Sequence, residues 1–441
     1  MSSNPRLTVI LSIALVAACG DDGGDTKADA CDPTLRPVVM AHGFLAAGDT
    51  WSLQAQRFEA NGVCPTHLVA FDWNTLSPDG AEGALDQVID RVLAATGATQ
   101  VDLVGHSAGG GLGYRYLSDG TRAAKVARYV HVASNPAPLD GVDPGPAGPA
   151  GAPVPTLALR STGDTIVQSQ ADIPGATNVV LTAEDHYQVA TSARAFEAMW
   201  QHLHDGPPET TSARAAARPT LAGKALTLGE NVPVAGWTVD VWALDATTGR
   251  RAGASPEATF TVASDGAWGP FEAVAGARYE LHLRGSAATD RPVHYYMEPP
   301  TSHDRLVYLR ALPGPDSLVG ILLSQLPFDD RHTVLIAFSG SSAVVSGRNT
   351  LTVGERTLST PELASAERTT IAFFVFDEGV DQTSAGEATT FAGLLTAFLA
   401  AVDEHVAASA SESITVTLDG RGLAVPRWPS ATEGATVVVF R

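Results

Sequence analysis

The chain has 441 residues, of which 44% are hydrophobic and 17% charged, and its formal net charge is −20. This length corresponds to roughly two to four domains, and the hydrophobic content is too high for a disordered protein. An acidic surface of this size argues against nucleic acid or an anionic membrane surface as a binding partner. The 42 Gly and 28 Pro predict many turns and therefore a substantial β fraction.

The N-terminal segment has the pattern of an export signal rather than of a folded domain. A positive Arg6 precedes the apolar run 7–18, which is too short to span a bilayer as a mature helix. The small residues before Cys19 resemble a bacterial lipobox, in which this cysteine is acylated. We therefore predict a signal peptide over 1–18, a tether over 19–30, and an exported lipoprotein that is membrane-anchored through Cys19 in the periplasm or at the cell surface, or secreted. A plain signal peptide that is cleaved further downstream is the alternative.

Export also bears on the redox state of the other cysteines. The chain has three cysteines, and the lipobox accounts for Cys19. Cys31 and Cys64 then form an even pair in an oxidising compartment, where disulfides form and persist. We predict a disulfide between Cys31 and Cys64.

Residues 31–205 alternate between strand-like and helical patterns. Short apolar runs predict strands that are buried on both faces, and apolar residues three and four apart predict amphipathic helices. The predicted strands are 37–41, 67–71, 101–104, 129–132, 156–159 and 179–181, and the predicted helices are 50–60, 85–93, 107–117 and 187–203. This alternation predicts an α/β fold, with a parallel sheet and helices on its faces.

The pattern changes near residue 206. The stretch 206–218 is rich in Pro, Ala and Arg, which is typical of a linker. Beyond it, short alternating segments between turns predict antiparallel β-structure of the sandwich type, in two modules over 219–300 and 301–441. The run 391–402 has helical period and predicts a helix packed on a sheet. The apolar run 318–323 either lines an apolar channel to a binding site or forms a core strand.

The third predicted strand is followed by the sequence Gly105-His106-Ser107-Ala108-Gly109, which fits the pattern G-x-S-x-G. Its context strengthens the match, because a strand precedes it and a Gly-rich helix start follows. Small neighbours permit the sharp turn on which a nucleophilic serine is presented. We predict that Ser107 is a nucleophile, and a Gly-rich loop without a catalytic role is the alternative.

A serine nucleophile needs a base and a carboxylate that orients the base. In a parallel sheet these groups lie in loops at the carboxyl ends of later strands. Asp164 follows the fifth predicted strand, and His186 follows the sixth. We assign Asp164 as the acid and His186 as the base, with Asp140 and Asp143 in reserve as the acid. Asp185, next to the histidine, is predicted to be exposed.

The oxyanion of an acyl-transfer intermediate needs two backbone N–H donors. One is predicted at Ala108, directly after the nucleophile. The other is predicted at Phe44 in the loop after the first strand, where Gly43 lets the backbone turn close to the substrate. His42 is predicted to brace this loop by hydrogen bonding rather than to act in catalysis.

Together, these motifs resemble the α/β-hydrolase superfamily, and within it small bacterial lipases and esterases. The resemblance covers about residues 35–205. It rests on the loop at His42, the serine motif at Ser107, and Asp164 and His186 in that chain order. It implies a minimal six-stranded parallel α/β-hydrolase sheet, followed by an all-β C-terminal region.

The resemblance also bears on the disulfide, the tail and the access to the site. In the usual sheet order of the family the first two predicted strands are neighbours, so Cys31 and Cys64 lie at the same end of adjacent strands. Residues 219–300 resemble transthyretin-like modules, and lipases with β-domain tails are a known arrangement. Larger lipases carry a helical lid where this chain has the Pro- and Gly-rich segment 134–155. We therefore expect a largely uncovered site.

These observations predict a serine carboxylic-ester hydrolase of the lipase or esterase kind, which acts on acyl esters, lipids among them, through an acyl-enzyme. The chemistry requires no cofactor and no metal. A polyester depolymerase or a thioesterase on the same triad stays open, as does a surface binding protein with a retired hydrolase domain. An ester assay with Ser107→Ala as control separates the enzyme from the binding protein.

Overall fold

The computed structural model describes residues 31–135, 153–168, 171–287, 289–389 and 398–441. Cys19 and the predicted signal peptide and tether lie outside these ranges, as does most of the segment 134–155. Within the described ranges, no helix has both the length and the apolar character needed to cross a membrane.

The first unit is built on a parallel sheet whose six strands lie in the order β2-β1-β3-β4-β5-β6. The strands are β1 (Val38–Ala41), β2 (Leu68–Phe71), β3 (Val101–His106), β4 (Val126–Val132), β5 (Thr156–Ser161) and β6 (Thr177–Leu181). Every residue of β1 and β3 is buried, as expected for strands covered on both faces. The predicted α/β fold is confirmed, including the neighbouring positions of the first two strands.

Helices cover both faces of this sheet. They are α1 (Ser52–Ala60), α2 (Ala81–Thr96), α3 (Ala108–Tyr116), α4 (Gly120–Ala123), α5 (Gln188–Thr191) and α6 (Ala193–His204), with 3₁₀ turns at Gly48–Trp51 and Pro65–His67. One core holds Leu85 and Ile89 of α2 against the sheet, and the core of the other face holds Phe58 of α1 and Phe196 of α6. The last predicted helix is interrupted at Ser192, whose hydroxyl accepts a hydrogen bond from the Ala195 N–H and caps α6.

The predicted cysteine pair is bonded. Cys31 and Cys64 form a disulfide with their Cα atoms 4.7 Å apart, just before β1 and β2 respectively. Asp32 and Val63 form a parallel bridge beside it, so the bond extends the pairing of the two strands. Closing a loop with a sequence separation of 33 residues contributes about 3–4 kcal/mol in the chain-entropy model.

The described part of the C-terminal region is rich in strands, which form three sheets. The strands are β7 (Thr220–Thr227), β8 (Thr238–Ala243), β9 (Ala258–Thr261), β10 (Ala267–Glu272), β11 (Tyr279–Arg284), β12 (Val293–Met297), β13 (Leu309–Ala311), β14 (Val334–Ser339), β15 (Leu351–Val353), β16 (Arg356–Thr357), β17 (Ala372–Phe376), β18 (Leu399–Asp403), β19 (Ser409–Leu418), β20 (Arg421–Arg427) and β21 (Ala435–Phe440). The sheet orders are β10-β7-β13, β18-β17-β14-β21-β12-β11-β8-β9 and β16-β15-β19-β20.

The eight-stranded sheet is mixed rather than purely antiparallel. The last strand, β21, lies between β12 and β14 and runs parallel to both, so strands from the two predicted modules share one sheet. The predicted module boundary at residue 300 therefore falls between strands of a common sheet. Parallel pairing joins segments that are far apart in sequence, so turn signals along the chain could not reveal it.

One local prediction is wrong over its described part, and one of the two alternatives for another apolar run is excluded. The segment Leu399–Asp403 is strand β18, paired in parallel with β17, although the apolar run 391–402 has helical period. The run Leu318–Leu323 is helix α7 and not a core strand, and the Ser317 hydroxyl caps it by accepting a hydrogen bond from the Gly320 N–H. Residues 390–397 lie outside the described ranges. In both cases a short apolar run left the choice of element to tertiary pairing.

The C-terminal region packs on the carboxyl ends of the parallel strands of the first unit. Lys224 forms an ion pair with Asp72, with 2.6 Å between Nζ and Oδ2. The Thr191 hydroxyl donates to the Ser341 carbonyl, and Tyr308 packs in a small apolar cluster with Ala47 and Leu226. One face of the eight-stranded sheet is thereby placed over the end of the first unit where its polar loops converge.

Candidate active site

Ser107 lies on a sharp turn between β3 and α3. Its backbone has φ 53° and ψ −119°, an unfavourable conformation for a residue with a side chain. The flanking glycines allow this turn, because a Cβ at Gly105 would lie 2.3 Å from the Gly109 carbonyl oxygen. A Cβ at Gly109 would lie 2.4 Å from the Ala41 carbonyl oxygen. The two glycines of the sequence motif are therefore required by close packing against β1 and α3.

Asp164 and His186 lie in loops after β5 and β6 and are hydrogen-bonded to each other. Asp164 Oδ2 lies 2.8 Å from His186 Nδ1, and both side chains are almost fully buried. Asp164 Oδ1 accepts two more hydrogen bonds, from the N–H groups of Ile166 and Val167. The carboxylate is thus fixed on one side by the backbone and on the other by the imidazole.

Charge and burial act in opposite directions on Asp164. Burial raises the pKa of this carboxyl, but the hydrogen bond and the charge of His186 and the two backbone N–H donors outweigh it, so its pKa lies below the ordinary value. The carboxylate is therefore ionised at neutral pH. An ionised carboxylate at Nδ1 holds a proton on that nitrogen and leaves Nε2 as the basic atom of the ring.

His186 Nε2 has no hydrogen-bond partner among the residues that the structure describes, and it lies in the wall of the same pocket as Ser107. His106, directly before the serine, supports this arrangement because its Nε2 donates to the His186 carbonyl at 2.9 Å. The pKa of His106 is lowered to about 3, mainly by burial and to a smaller extent by the nearby His186 ring, so the His106 ring is neutral. The loop that carries His186 is thereby tied to the turn that carries Ser107.

The loop after β1 lies directly against the nucleophile. A Cβ at Gly43 would lie 3.1 Å from the Ser107 Cβ, and Gly43 and Phe44 line the same pocket as Ser107. Ala108 opens helix α3, so its N–H has no acceptor within the helix. The two predicted oxyanion donors, Phe44 and Ala108, therefore flank the serine.

The prediction that His42 braces this loop is confirmed. The ring is fully buried, and its Nδ1 lies 2.8 Å from the Gly43 carbonyl oxygen. Burial lowers the pKa of His42 to about 4, against the opposing charge of Asp72, so the ring is neutral at pH 7. It contacts the backbone of the loop through the Gly43 carbonyl.

The expectation for Asp185 is wrong. Asp185 is 7% exposed, because its carboxylate accepts hydrogen bonds from the N–H groups of Tyr187, Gln188 and, across the unit boundary, Ala343. It caps the segment after His186 and holds the C-terminal region in place. The reserve acids Asp140 and Asp143 lie outside the described residues.

The pocket above Ser107 is formed largely by the C-terminal region. Most of its wall is apolar. The eight-stranded sheet lines the pocket with alternating residues of β12, β14, β17 and β21 and with one residue of β18, and they are Val293, Tyr295, Met297, Ile336, Phe338, Ala372, Phe374, Val437, Val439 and Leu399. Helix α7 contributes Val319, Leu322 and Leu323, and the Phe398 ring lies 6.2 Å from the His186 ring.

The expectation of a largely uncovered site is therefore wrong, because the C-terminal region covers it. Alternation in the sequence shows which residues of a strand share a face. It does not show what that face covers, so the sequence pattern alone does not assign these strands to the site.

One group of side chains has the composition of a metal site, but an arginine occupies it. Glu280, His282 and His294 are buried and offer ligand atoms within 4.8 Å of one another. Arg251 donates to both oxygens of Glu280, at 2.8 and 2.6 Å, and His294 Nδ1 lies 2.6 Å from the same carboxylate. The guanidinium takes the place of a cation, so these residues form a buried ion-paired network.

Comparison with known families agrees with the geometry of the first unit. Residues 36–153 match the α/β hydrolase fold model. The first unit therefore has the α/β-hydrolase fold, and we refer to it as the α/β-hydrolase domain. In the C-terminal region, residues 218–312 match the Lipase C-terminal domain model, and residues 338–441 match a further model of a C-terminal domain. The transthyretin-like resemblance of residues 219–300 stays a prediction.

Curated relatives are similar over a part of the chain. A triacylglycerol lipase of Burkholderia plantarii is 37% identical over 123 residues, which are 25% of this chain and 30% of that protein. A triacylglycerol lipase of Pseudarthrobacter phenanthrenivorans is 36% identical over 102 residues, 21% of this chain and 30% of that protein. The chain thus spans less than a third of the length of these two relatives.

Solved structures are similar to the α/β-hydrolase domain at low identity. An esterase from Rhodococcus sp. is 17% identical and covers 40% of this chain and 92% of its own, with a TM-score of 0.32. A serine hydrolase without lid from Xanthomonas campestris is 17% identical, covers 41% of this chain and 88% of its own, and has a TM-score of 0.31.

Proposed function

We propose that the protein is a serine carboxylic-ester hydrolase that acts through an acyl-enzyme, with Ser107, His186 and Asp164 as its triad. The observation that carries this proposal is the buried 2.8 Å contact between Asp164 and His186, whose free Nε2 lines the same apolar pocket as the strained Ser107. The partial match to two triacylglycerol lipases supports the same reaction class.

The reaction follows from these positions. Ser107 Oγ attacks the ester carbonyl carbon while His186 Nε2 takes its proton, and the negative charge that develops on the carbonyl oxygen is stabilised by the N–H groups of Phe44 and Ala108. Asp164 keeps the imidazole in the required tautomer and stabilises the imidazolium. His186 then protonates the leaving alcohol. Water repeats the sequence on the acyl-enzyme, releases the acid and restores the Ser107 hydroxyl.

The pocket favours an acyl group with a long hydrocarbon chain. Its wall is mostly apolar and extends from Ser107 along β12, β14 and β21. Each methylene that such a surface takes out of water contributes about 0.8 kcal/mol, which corresponds to about fourfold in kcat/KM when the contact is retained in the transition state. The C-terminal region therefore supplies most of the proposed acyl-binding surface.

The proposed site of action is outside the cytoplasm. The Cys31–Cys64 disulfide agrees with an oxidising compartment. Acylation of Cys19, within the lipobox-like sequence, would hold the enzyme at a membrane and close to lipid substrates. Detection of a lipid-modified N-terminal fragment by mass spectrometry, and its loss in Cys19→Ala, tests this part of the proposal.

A series of chromogenic esters from acetyl to palmitoyl tests the reaction and the substrate class together. Wild-type protein should hydrolyse them with kcat/KM rising as the acyl chain lengthens. Ser107→Ala should lower kcat by about 10⁴–10⁶-fold, because the members of a triad act as a unit. A wild-type rate no higher than that of Ser107→Ala on every ester would overturn the proposal. Activity on acetyl esters alone would retain the reaction and overturn the long-chain assignment.

A further inference from the structure

A single side chain of the C-terminal region enters the α/β-hydrolase domain next to the oxyanion loop. Asn231 lies in the turn between β7 and β8, in the left-handed conformation with φ 58°, which asparagine tolerates better than most residues. It is 8% exposed, although turns of this kind usually lie at the surface. Its burial results from its insertion between the loop after β1 and the segment after β2.

The Asn231 amide joins these two segments. Its Nδ2 donates to the Ala46 carbonyl at 2.8 Å and to the Trp73 carbonyl at 3.0 Å, and it lies 3.3 Å from His42 Nε2. Carbonyl oxygens only accept hydrogen bonds, so the contacts fix which end of the amide is the NH₂ group. The NH₂ group has two hydrogens and three possible acceptors, and its two shorter contacts are with the Ala46 and Trp73 carbonyls.

The tautomer of His42 follows from its neighbours. The Trp73 N–H donates to His42 Nε2 at 3.3 Å, and the Asn231 amide also presents hydrogens to this nitrogen. Nε2 is therefore an acceptor, and the ring proton is on Nδ1. From there it is donated to the Gly43 carbonyl at 2.8 Å. The Trp73 N–H thus holds His42 in the tautomer that binds Gly43, and the Asn231 NH₂ group lies beside the same nitrogen.

The orientation of the Gly43 carbonyl decides the orientation of the Phe44 N–H. Across a planar trans peptide the two groups point in opposite directions. Because the Gly43 carbonyl is held by His42 and by the Ala46 N–H, the Phe44 N–H is directed away from His42. Gly43 and Phe44 line the pocket that contains Ser107, and the proposed oxyanion role requires that the Phe44 N–H keeps a fixed direction in this loop.

The loop needs such anchors because it is strained. Leu45 has φ 58°, a conformation that costs a residue with a side chain about 1–2 kcal/mol. The Leu45 N–H is held by the Thr75 hydroxyl at 2.9 Å, and the Ala46 carbonyl is held by Asn231. Without the second contact, this strained loop would have one anchor fewer, and a shift of the loop could turn the Phe44 N–H away from the oxyanion.

We propose that Asn231 is a positioning residue for catalysis: it reaches from the C-terminal region to fix the Gly43–Phe44 peptide with its N–H toward the oxyanion. The inference rests on the proposed ester hydrolysis. It assigns the C-terminal region a part in transition-state stabilisation, in addition to its part in acyl binding.

Two variants and a matched control test the inference in the full-length protein. Asn231→Asp keeps the shape and the left-handed tendency but removes both donors, and Asn231→Gly keeps the backbone conformation without any side chain. Ser302→Ala is the control, since it removes another hydrogen bond between the two parts of the chain, from Ser302 Oγ to Gln56 at 2.6 Å. A soluble acetyl ester is the substrate, and kcat is expressed per active site from burst titration with a fluorophosphonate.

We expect both Asn231 variants to lower kcat by about tenfold to hundredfold, less than the loss of a whole oxyanion donor. KM should change less than threefold, and the pH midpoint of kcat/KM should not move, because the Asp164–His186 pair is untouched. Ser302→Ala should retain kcat. The combination of Asn231→Gly with His42→Ala should cost no more than the larger single effect, since both act on one peptide.

Unchanged kcat per active site in both Asn231 variants would overturn the inference, even if their melting temperatures fell. Additive losses with His42→Ala would overturn it as well, because Asn231 would then act independently of the loop. Absence of ester hydrolysis by the wild-type protein is a separate outcome, which would overturn the proposed function and with it the inference.

Discussion

Replacement of Asp164 by asparagine should disable the site through the tautomer of His186. In the wild-type protein Asp164 Oδ1 accepts the N–H groups of Ile166 and Val167, and Oδ2 faces His186 Nδ1. An asparagine must place its oxygen toward the two backbone donors, since its NH₂ group cannot accept them. That NH₂ group then faces His186 and donates to Nδ1. The ring proton moves to Nε2, and the atom that should take the serine proton is no longer a base.

The size of the effect follows from the number of bonds that fix the amide. Reversing the asparagine would leave two backbone N–H donors facing an NH₂ group, at a cost of about 1–3 kcal/mol for each buried unpaired group. The wrong tautomer therefore predominates, and kcat should fall about 10⁴-fold, which corresponds to about 5 kcal/mol of transition-state stabilisation. Steady-state hydrolysis of a soluble chromogenic ester at pH 7 to 8 measures it.

A neighbouring carboxylate supplies the matched control. Asp185 is also buried and also accepts backbone N–H groups, but it makes no hydrogen bond to the imidazole of His186. Asp185→Asn should lower the melting temperature, because the contact with Ala343 is lost, and should leave kcat of the folded protein within a few-fold. Near-full activity of Asp164→Asn would refute the assignment of the acid, and an equal loss in both variants would refute the tautomer argument.

Denatured, unreduced protein should show no free thiol at Cys31 or Cys64, and two titratable thiols would contradict the disulfide. Leu322→Trp, in the pocket wall, should lower kcat/KM at least about tenfold for palmitoyl esters and spare acetyl esters, whereas Ile321→Trp on the exposed side of α7 should change neither. Burial opposes ionisation of Glu280, but hydrogen bonds from its Arg and His neighbours bring its pKa to about 2. This pKa is below the value in the unfolded chain, so ionised Glu280 stabilises the folded protein. Its contribution to the free energy of unfolding is roughly 3 kcal/mol above about pH 4.5, and this contribution is lost as the pH falls to about 2. Urea unfolding should show this slope in the wild type and a flatter one in Glu280→Gln.

Much of the α/β-hydrolase domain could be predicted because its signals are local. Strands that are buried on both faces must be continuously apolar, so β1 and β3 stand out in the sequence. The turn at Ser107 needs glycines on both sides for steric reasons, so it leaves a pattern of fixed spacing. Loops at the carboxyl ends of parallel strands meet at one edge, which is sufficient to bring Asp164 and His186 together.

The cover of the site and the support of the oxyanion loop were decided by tertiary structure. The alternation of Val437 and Val439 shows that they share one face of a strand, but it does not show which surface that face meets. The parallel pairing of β21 with β12 brings together segments that are far apart in the sequence. Asn231 is an ordinary turn residue by its sequence context, and only the packing of the turn against Ala46 gives its amide a role. Sequence determined most elements of the α/β-hydrolase domain and the chain order of Ser107, Asp164 and His186, because these depend on local sterics and strand topology. Contacts between the two parts of the chain depend on how their surfaces pack, which no local pattern encodes.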